Sequence, residues 1–276
     1  MNQTLSKMHA RQINKIELME RSIRSRDGIT IYYQISGTKP TAIVFIHGWL
    51  GNSNWWNYQR EYFKKRYTVV QIDLPGHGKS EKGRAGWSSA QFAKNIKDVV
   101  NQIPSENIVL VGHSMSGAYS LKASLIIPNV KLVVLVDTLK NMDQLLTYQQ
   151  ADDLILSSYR KDFKYAVENL LPKFLFAEST PATVREQLQK EFLKNDAEFA
   201  VKSIEPLYKM NIRKVSKHVQ VPVRAINSNL TLTHIDSIQK YIKDFEYITI
   251  PGSGHYPMLE QPNQFNLLLN GILQKL

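Results

Sequence analysis

Six short runs of almost unbroken Val, Ile, Leu and Phe constrain this chain most: 42–46, 68–72, 108–111, 132–136, 221–226 and 247–250. A strand with one wet face alternates apolar and polar residues. A run without alternation belongs to a strand buried on both faces, the situation of a parallel sheet. Helical patterning falls between the runs, at about 54–65, 88–102, 115–127, 235–243 and 262–275. Strand and helix in alternation specify an α/β, doubly wound, mostly parallel sheet. Two further strands, 22–26 and 29–35, precede these runs, which makes about eight, and the Asp27-Gly28 pair between them predicts a type I′ hairpin.

The rhythm breaks once. Between Asp137 and Val221 about eighty residues show helical patterning and no convincing strand. Ser179-Thr180-Pro181 reads as a capped helix start with proline in the first turn, and Asp196 as a second cap. The organisation expected is a lead-in over 1–20, a core made of 21–137 and 221–276, and a helical lid, 138–220, inserted between strands 6 and 7. A chain of 276 residues suits one sizeable domain carrying such an insertion.

Composition narrows the function classes. With 43% hydrophobic and 21% charged residues the chain is neither a disordered tail nor a membrane protein. The formal net charge of +11 comes from scattered Lys and Arg, with no zinc-finger spacing and no basic helix, so no nucleic-acid partner is expected. The absence of cysteine removes disulfides, thiolate metal sites and cysteine nucleophiles. Residues 1–20 lack the apolar run of a secretory signal and no stretch is long enough to span a bilayer, so a cytoplasmic location is expected.

The chemistry concentrates at 108–117. The run Ile108–Val109–Leu110–Val111 meets Gly112-His113-Ser114-Met115-Ser116-Gly117 and then a helical stretch, the pattern of a nucleophile elbow. The turn strains its central residue, so the flanking side chains must be small, and Gly112 and Ser116 provide that on either side of Ser114. A helix N-terminus beside Ser114 favours negative charge. The Gly48 turn after the 42–46 strand would aim the Trp49 N–H at the same place, where it would join the Met115 N–H as an oxyanion hole. His255, in a glycine-flanked loop after the last strand, fits the chain order of nucleophile, acid and histidine. Gly78-Lys79-Ser80 ends like a phosphate-binding loop, but Asp73 occupies the position where that loop needs glycine.

The segments Phe45-Ile46-His47-Gly48-Trp49, Asp73-Leu74-Pro75-Gly76-His77-Gly78-Lys79-Ser80, the elbow and Gly254-His255-Tyr256-Pro257-Met258-Leu259-Glu260 together resemble the α/β-hydrolase superfamily, over about residues 22–275. The likeness is to the branch with esterases, perhydrolases and carbon–carbon bond hydrolases. It implies an α/β-hydrolase fold, Ser114 as nucleophile, His255 as base, and no metal or organic cofactor. Most of the superfamily carries the triad acid soon after the strand that follows the lid. Here that strand leads into Asn227-Ser228-Asn229, with no carboxylate before Asp236. Asp137, at the end of the preceding strand, is the geometric alternative, resembling the acid position of haloalkane dehalogenases. Asp236, an orienting Asn229 and a Ser–His dyad stay open beside it. The expected activity is hydrolysis of a small hydrophobic ester or related acyl compound through an acyl-enzyme. A ligand receptor with little turnover and a carbon–carbon hydrolase are the alternatives. Some of Met142, Leu145, Leu146, Tyr148, Tyr159, Phe163, Phe174, Phe176, Phe192 and Phe199 are expected to line an apolar pocket, and the rest to form the inner face of lid helices.

Overall fold

The computed structural model describes residues 16–83 and 86–276. Its eight strands are β1 (Leu18–Arg24), β2 (Thr30–Ser36), β3 (Thr41–Ile46), β4 (Thr68–Ile72), β5 (Asn107–His113), β6 (Val130–Val136), β7 (Val223–Ser228) and β8 (Phe245–Ile250). They form one sheet in the order β1-β2-β4-β3-β5-β6-β7-β8. β2 runs antiparallel to β1 and β4, and every other pairing is parallel. The doubly wound, mostly parallel sheet expected from the apolar runs is therefore present.

Helices α1 (Asn57–Phe63), α2 (Ser89–Val100) and α3 (Met115–Ser124) follow β3, β4 and β5. After β7 come α11 (Ile235–Gln239) and, after β8, α12 (Pro257–Glu260) and α13 (Pro262–Leu273). Between β6 and β7 the regular elements are all helices: α4 (Tyr148–Ala151), α5 (Ser157–Lys161), α6 (Phe163–Tyr165), α7 (Pro172–Leu175), α8 (Ala182–Phe192), α9 (Ala197–Tyr208) and α10 (Ile212–Ser216). Two stretches of π-helix, Asp152–Leu156 and Ala166–Leu170, interrupt this region. No helix among the described residues is long and apolar enough to cross a membrane.

The central strands β3, β4, β5 and β6 are buried along nearly their whole length, as unalternating runs require. β8 departs from that rule. Its four middle residues are exposed, because it is the sheet's edge and a helix covers only part of it.

Three local expectations change. β1 begins at Leu18, inside the span expected as lead-in, and residues 1–15 of that lead-in lie outside the described residues. The β1–β2 connection is not type I′, which needs positive φ at both central residues. Gly28 N–H donates to Ser25 O, Ser25 N–H to Ile29 O, and Gly28 alone has positive φ (82°), giving a three-residue loop with a glycine bulge. Pro181 stands at the N-cap of α8 rather than in its first turn, and no side chain caps that helix. Thr180 and Ser179 instead turn toward α12 and the loop before it, donating to Glu260 Oε2 (2.6 Å) and Gly252 O (2.6 Å) respectively. Asp196 does cap α9, accepting from Phe199 N at 2.7 Å.

Candidate active site

The chain reverses its winding direction at β3, whose neighbours β4 and β5 lie on opposite sides. A crevice opens at the carboxyl ends of strands at such a point, the usual place for a site in an open α/β sheet. Backbone strain collects there. Among the described residues the non-glycine positions with positive φ are Leu50 (55°), Ser114 (54°), Asp137 (48°) and Leu139 (52°). All four sit on the loops that leave β3, β5 and β6. Strained backbone of this kind persists only where packing over-determines it, and it gathers at functional sites.

Ser114 joins β5 to α3 with φ 54° and ψ −123°, as the N-cap of the helix. Its N–H donates to Val136 O (3.0 Å) and its carbonyl accepts from Gly117 N (3.0 Å), which lock the turn. A Cβ on Gly48 would stand 2.5 Å from His113 Nδ1 and 3.1 Å from Ser114 Cβ, so only glycine lets the two loops approach. The Ser116 hydroxyl donates to His47 O and ties the β3 loop to the elbow. His47 holds the same loop from the other side: its Nδ1–H donates to Gly48 O (2.7 Å) and its Nε2 accepts from Leu74 N (3.0 Å). Burial lowers the His47 pKa to about 4, so the ring is a neutral brace.

Gly48 O also accepts from Gly51 N, closing a turn that leaves the Trp49 N–H without an acceptor among the described residues. The Met115 N–H is the first of the orphan donors at the α3 N-terminus. These two amides are the pair named from sequence.

His255 sits between β8 and α12. Its Nδ1–H donates to Asp137 Oδ2 at 2.7 Å, so the structure brings together the carboxylate of β6 and the imidazole of the last loop. Asp137 Oδ1 accepts from Ser228 N (2.6 Å) and pairs with Lys140 Nζ (2.6 Å). Burial pushes the Asp137 carboxyl upward, but His255 and Lys140 together outweigh it and hold the group below the usual carboxylate range. Asp236, near the start of α11, makes no hydrogen bond to His255 among the described residues. Asn229 accepts from Gly252 N (3.0 Å) and so shapes the His255 loop without touching the imidazole.

The His255 loop is held at several points. His113 Nε2–H donates to His255 O (2.7 Å) while burial, and then the nearby His255, lowers the His113 pKa to about 3. Glu260 accepts from Gly254 N (2.7 Å), Tyr256 N (3.0 Å) and the Thr180 hydroxyl. His255 N–H reaches Leu175 O (2.8 Å) at the end of α7 in the helical insertion. The insertion also grips the β3 loop, because Trp49 Nε1–H donates to Ala200 O on α9 at 2.8 Å.

Ser114 and His255 open into one cavity of about 700 Å³, lined otherwise almost wholly by apolar side chains of the insertion. Leu146, Tyr159 and Phe174 line it as the sequence suggested. Met142 and Phe192 are core residues, and Phe199 packs edge-on to His77 and Trp87. Sequence reasoning missed Leu154, Ile155, Ile204, Leu207 and Tyr208 among the lining residues. It also missed the parts played by Lys140, Ser228 and Glu260. Glu260 was legible within the His255 motif, whereas nothing in the pattern marks Lys140 or Ser228. The Asp73–Ser80 segment is a scaffold. Asp73 fills the loop's own amide cradle, accepting from Ser53 N (2.5 Å) and Lys79 N (2.7 Å).

The sequence profile described as the alpha/beta hydrolase family matches residues 43–266, well over half of the chain. The chain belongs to the alpha/beta hydrolase family. Among known relatives in sequence, an uncharacterised protein of Mycobacterium bovis is 33% identical over 119 residues, 43% of this chain and 35% of that protein. The chain thus spans about a third of the length of the relatives it matches first. The pimeloyl-[acyl-carrier protein] methyl ester esterase of Wigglesworthia glossinidia brevipalpis is 25% identical over 262 residues, covering 88% of this chain and 98% of that one. In three dimensions an esterase from Exiguobacterium antarcticum matches with a TM-score of 0.81 at 21% identity, over 93% of this chain and 100% of that one. That likeness is one of fold.

Proposed function

We propose that this family member is a serine hydrolase that cleaves a small hydrophobic ester or related acyl compound through an acyl-enzyme. One observation carries the reading: Asp137 Oδ2 lies 2.7 Å from His255 Nδ1, on the cavity into which the strained Ser114 turn opens. With Nδ1–H committed to Asp137, the His255 Nε2 is the atom free to accept a proton from the Ser114 hydroxyl. Ser114 Oγ attacks the acyl carbonyl and its proton passes to His255. The Trp49 and Met115 N–H groups stabilise the oxyanion. The tetrahedral intermediate collapses, the leaving alcohol takes the proton from His255, and Ser114 is left acylated. Water then gives a proton to His255 and attacks the acyl-enzyme, which releases the acid and restores Ser114. The relatives named as esterases support a hydrolytic reading.

Residues 138–220 act as the lid. Their helices supply most of the apolar lining, and their carbonyls at Leu175 and Ala200 hold both the His255 loop and the Trp49 loop. The Asp137–His255 hydrogen bond supports turnover over a ligand receptor, because it gives the imidazole a carboxylate partner.

The test is release of p-nitrophenol from acetate and butyrate esters by the wild type and by Ser114→Ala. Turnover in the first, abolished in the second with the fold intact by circular dichroism, is the expected result. No turnover in the wild type would sink the esterase reading.

A further inference from the structure

The cavity beside Ser114 has an uneven chemistry. No Lys, Arg, Asp or Glu is among its lining residues, so a charged acyl tail would be buried there unpaired. Apart from Ser114, the two histidines and the Trp49 indole, which donates to Ala200 O, its polar side chains are Ser158, Tyr159, Tyr208 and Tyr256. The Ser158 hydroxyl is already committed, donating to Ile155 O at 2.6 Å.

The three phenols are different. None of them forms a hydrogen bond among the described residues, in contrast to Tyr148, whose hydroxyl donates to Glu205 at 3.0 Å. Tyr159 and Tyr256 are nearly fully buried, at 4% and 3% exposure. Their hydroxyls are not among the buried polar atoms sealed from solvent, so each is left facing the cavity, where a ligand or water must meet it. Tyr159 stands at the centre of the group. Its ring stacks on Trp49 (centroids 5.0 Å apart, 17° between planes), the residue whose amide faces the elbow. Tyr208 closes the adjoining wall at the end of α9, beside Leu207 and Ile204. Burial pushes the Tyr208 phenol up to about 12; it pushes Tyr159 higher still, with Tyr208 as a second cause. Both therefore remain protonated donors at neutral pH. The π-helical turn Asp152–Leu156 lies just ahead of Tyr159 and contributes Leu154 and Ile155 to the same wall, and such turns often mark functional sites.

Resting on the serine hydrolase reading, we infer that Tyr159 and Tyr208 form a polar recognition point inside the acyl cavity. They select uncharged acyl groups that carry a second oxygen, a ketone or hydroxyl, on an otherwise apolar chain. The apolar wall accepts the carbons, the phenols donate to the oxygen, and the lack of a cationic partner rejects a carboxylate. Tyr256 adjoins His255 in sequence, so the test leaves it intact.

The experiment compares p-nitrophenyl 4-oxopentanoate and 5-oxohexanoate with the pentanoate and hexanoate, using wild type and the double variant Tyr159→Phe/Tyr208→Phe. A hydrogen bond gained in a desolvated site is worth about a factor of ten. The wild type is expected to prefer the oxo ester about tenfold in kcat/KM at one chain length at least, and the double variant to lose that preference. A wild-type ratio near one, or a ratio that survives both substitutions, overturns the inference. Loss of pentanoate turnover in Ser114→Ala shows in the same plates whether the hydrolase reading stands. If no ester is turned over, that reading fails by itself, and calorimetry with methyl 4-oxopentanoate and methyl pentanoate then decides the recognition point. About tenfold tighter binding of the oxo ester, lost in the double variant, supports it, and equal binding overturns it.

Discussion

Replacing Asp137 by Asn exchanges one oxygen for an amide nitrogen, and the surroundings dictate which oxygen is lost. Oδ1 faces two donors, Ser228 N at 2.6 Å and Lys140 Nζ at 2.6 Å. The Asn carbonyl must stay on that side, because an NH₂ group there would oppose both. The amide nitrogen is then directed at His255 Nδ1, now 2.7 Å from an acceptor. A donor facing Nδ1–H is untenable, so the imidazole shifts its proton to Nε2, the atom that has to take the proton of Ser114. The precedent for that wrong tautomer in a serine triad is a loss of about 10⁴ in kcat, which corresponds to about 5.5 kcal/mol of transition-state stabilisation. Stability should fall as well, because Lys140 is only 10% exposed and loses its counter-ion. Breaking a buried pair from one side costs about 3 kcal/mol, or several degrees in Tm for a chain of this size. The assay is kcat for p-nitrophenyl butyrate alongside thermal unfolding. Adding Lys140→Met should restore part of the Tm and none of the activity, which separates the two roles of Asp137. A Asp137→Asn protein that keeps more than about a tenth of wild-type kcat would refute the assignment and return the acid to Asp236 or to a Ser–His dyad.

Three further outcomes are expected. Burial lowers the pKa of His47 to about 4 and of His77 and His113 to about 3. A histidine with a depressed folded pKa is protonated first in the unfolded chain, so its stabilisation is fully present above about pH 6.5 and declines as pH falls toward the folded value. Denaturant unfolding should therefore show a loss of about 2 kcal/mol per histidine between pH 7 and pH 5, and equal stability at the two pH values would contradict it. Gly48→Ala places a Cβ against His113 and Ser114, 2.5 Å from the ring nitrogen; kcat should drop by about 10² or more as the oxyanion amides move, and wild-type kinetics would show that the two loops need no such closeness. Glu260→Gln faces an amide nitrogen toward the N–H or hydroxyl donors that the carboxylate now accepts. Loosening of the His255 loop should lower kcat about tenfold with little change in KM, and an unchanged kcat would make Glu260 a bystander.

The sequence by itself determined which segments are strands, that the central ones are buried on both faces, and where the elbow and the histidine loop fall. Those properties are local: a run without alternation at 108–111, small residues around Ser114, and glycines before His255 say what each piece must be wherever it lies. Gly48 and Asp196 were legible for the same reason. The partner of His255 was legible only as a set of alternatives, with Asp137 named beside Asp236, Asn229 and a Ser–His dyad. Asp137 is 118 residues away, and only the order β5-β6-β7 followed by β8 sets the end of β6 under the last loop. Asp236 is nearer in sequence and makes no such contact. The cavity is the same kind of fact. Residues 142–208 look alike as amphipathic helix, and folding decided that Tyr208 faces the nucleophile's cavity while Met142 and Phe192 enter the core. Periodicity reports which side of a helix is apolar, whereas packing against distant elements decides what that side meets.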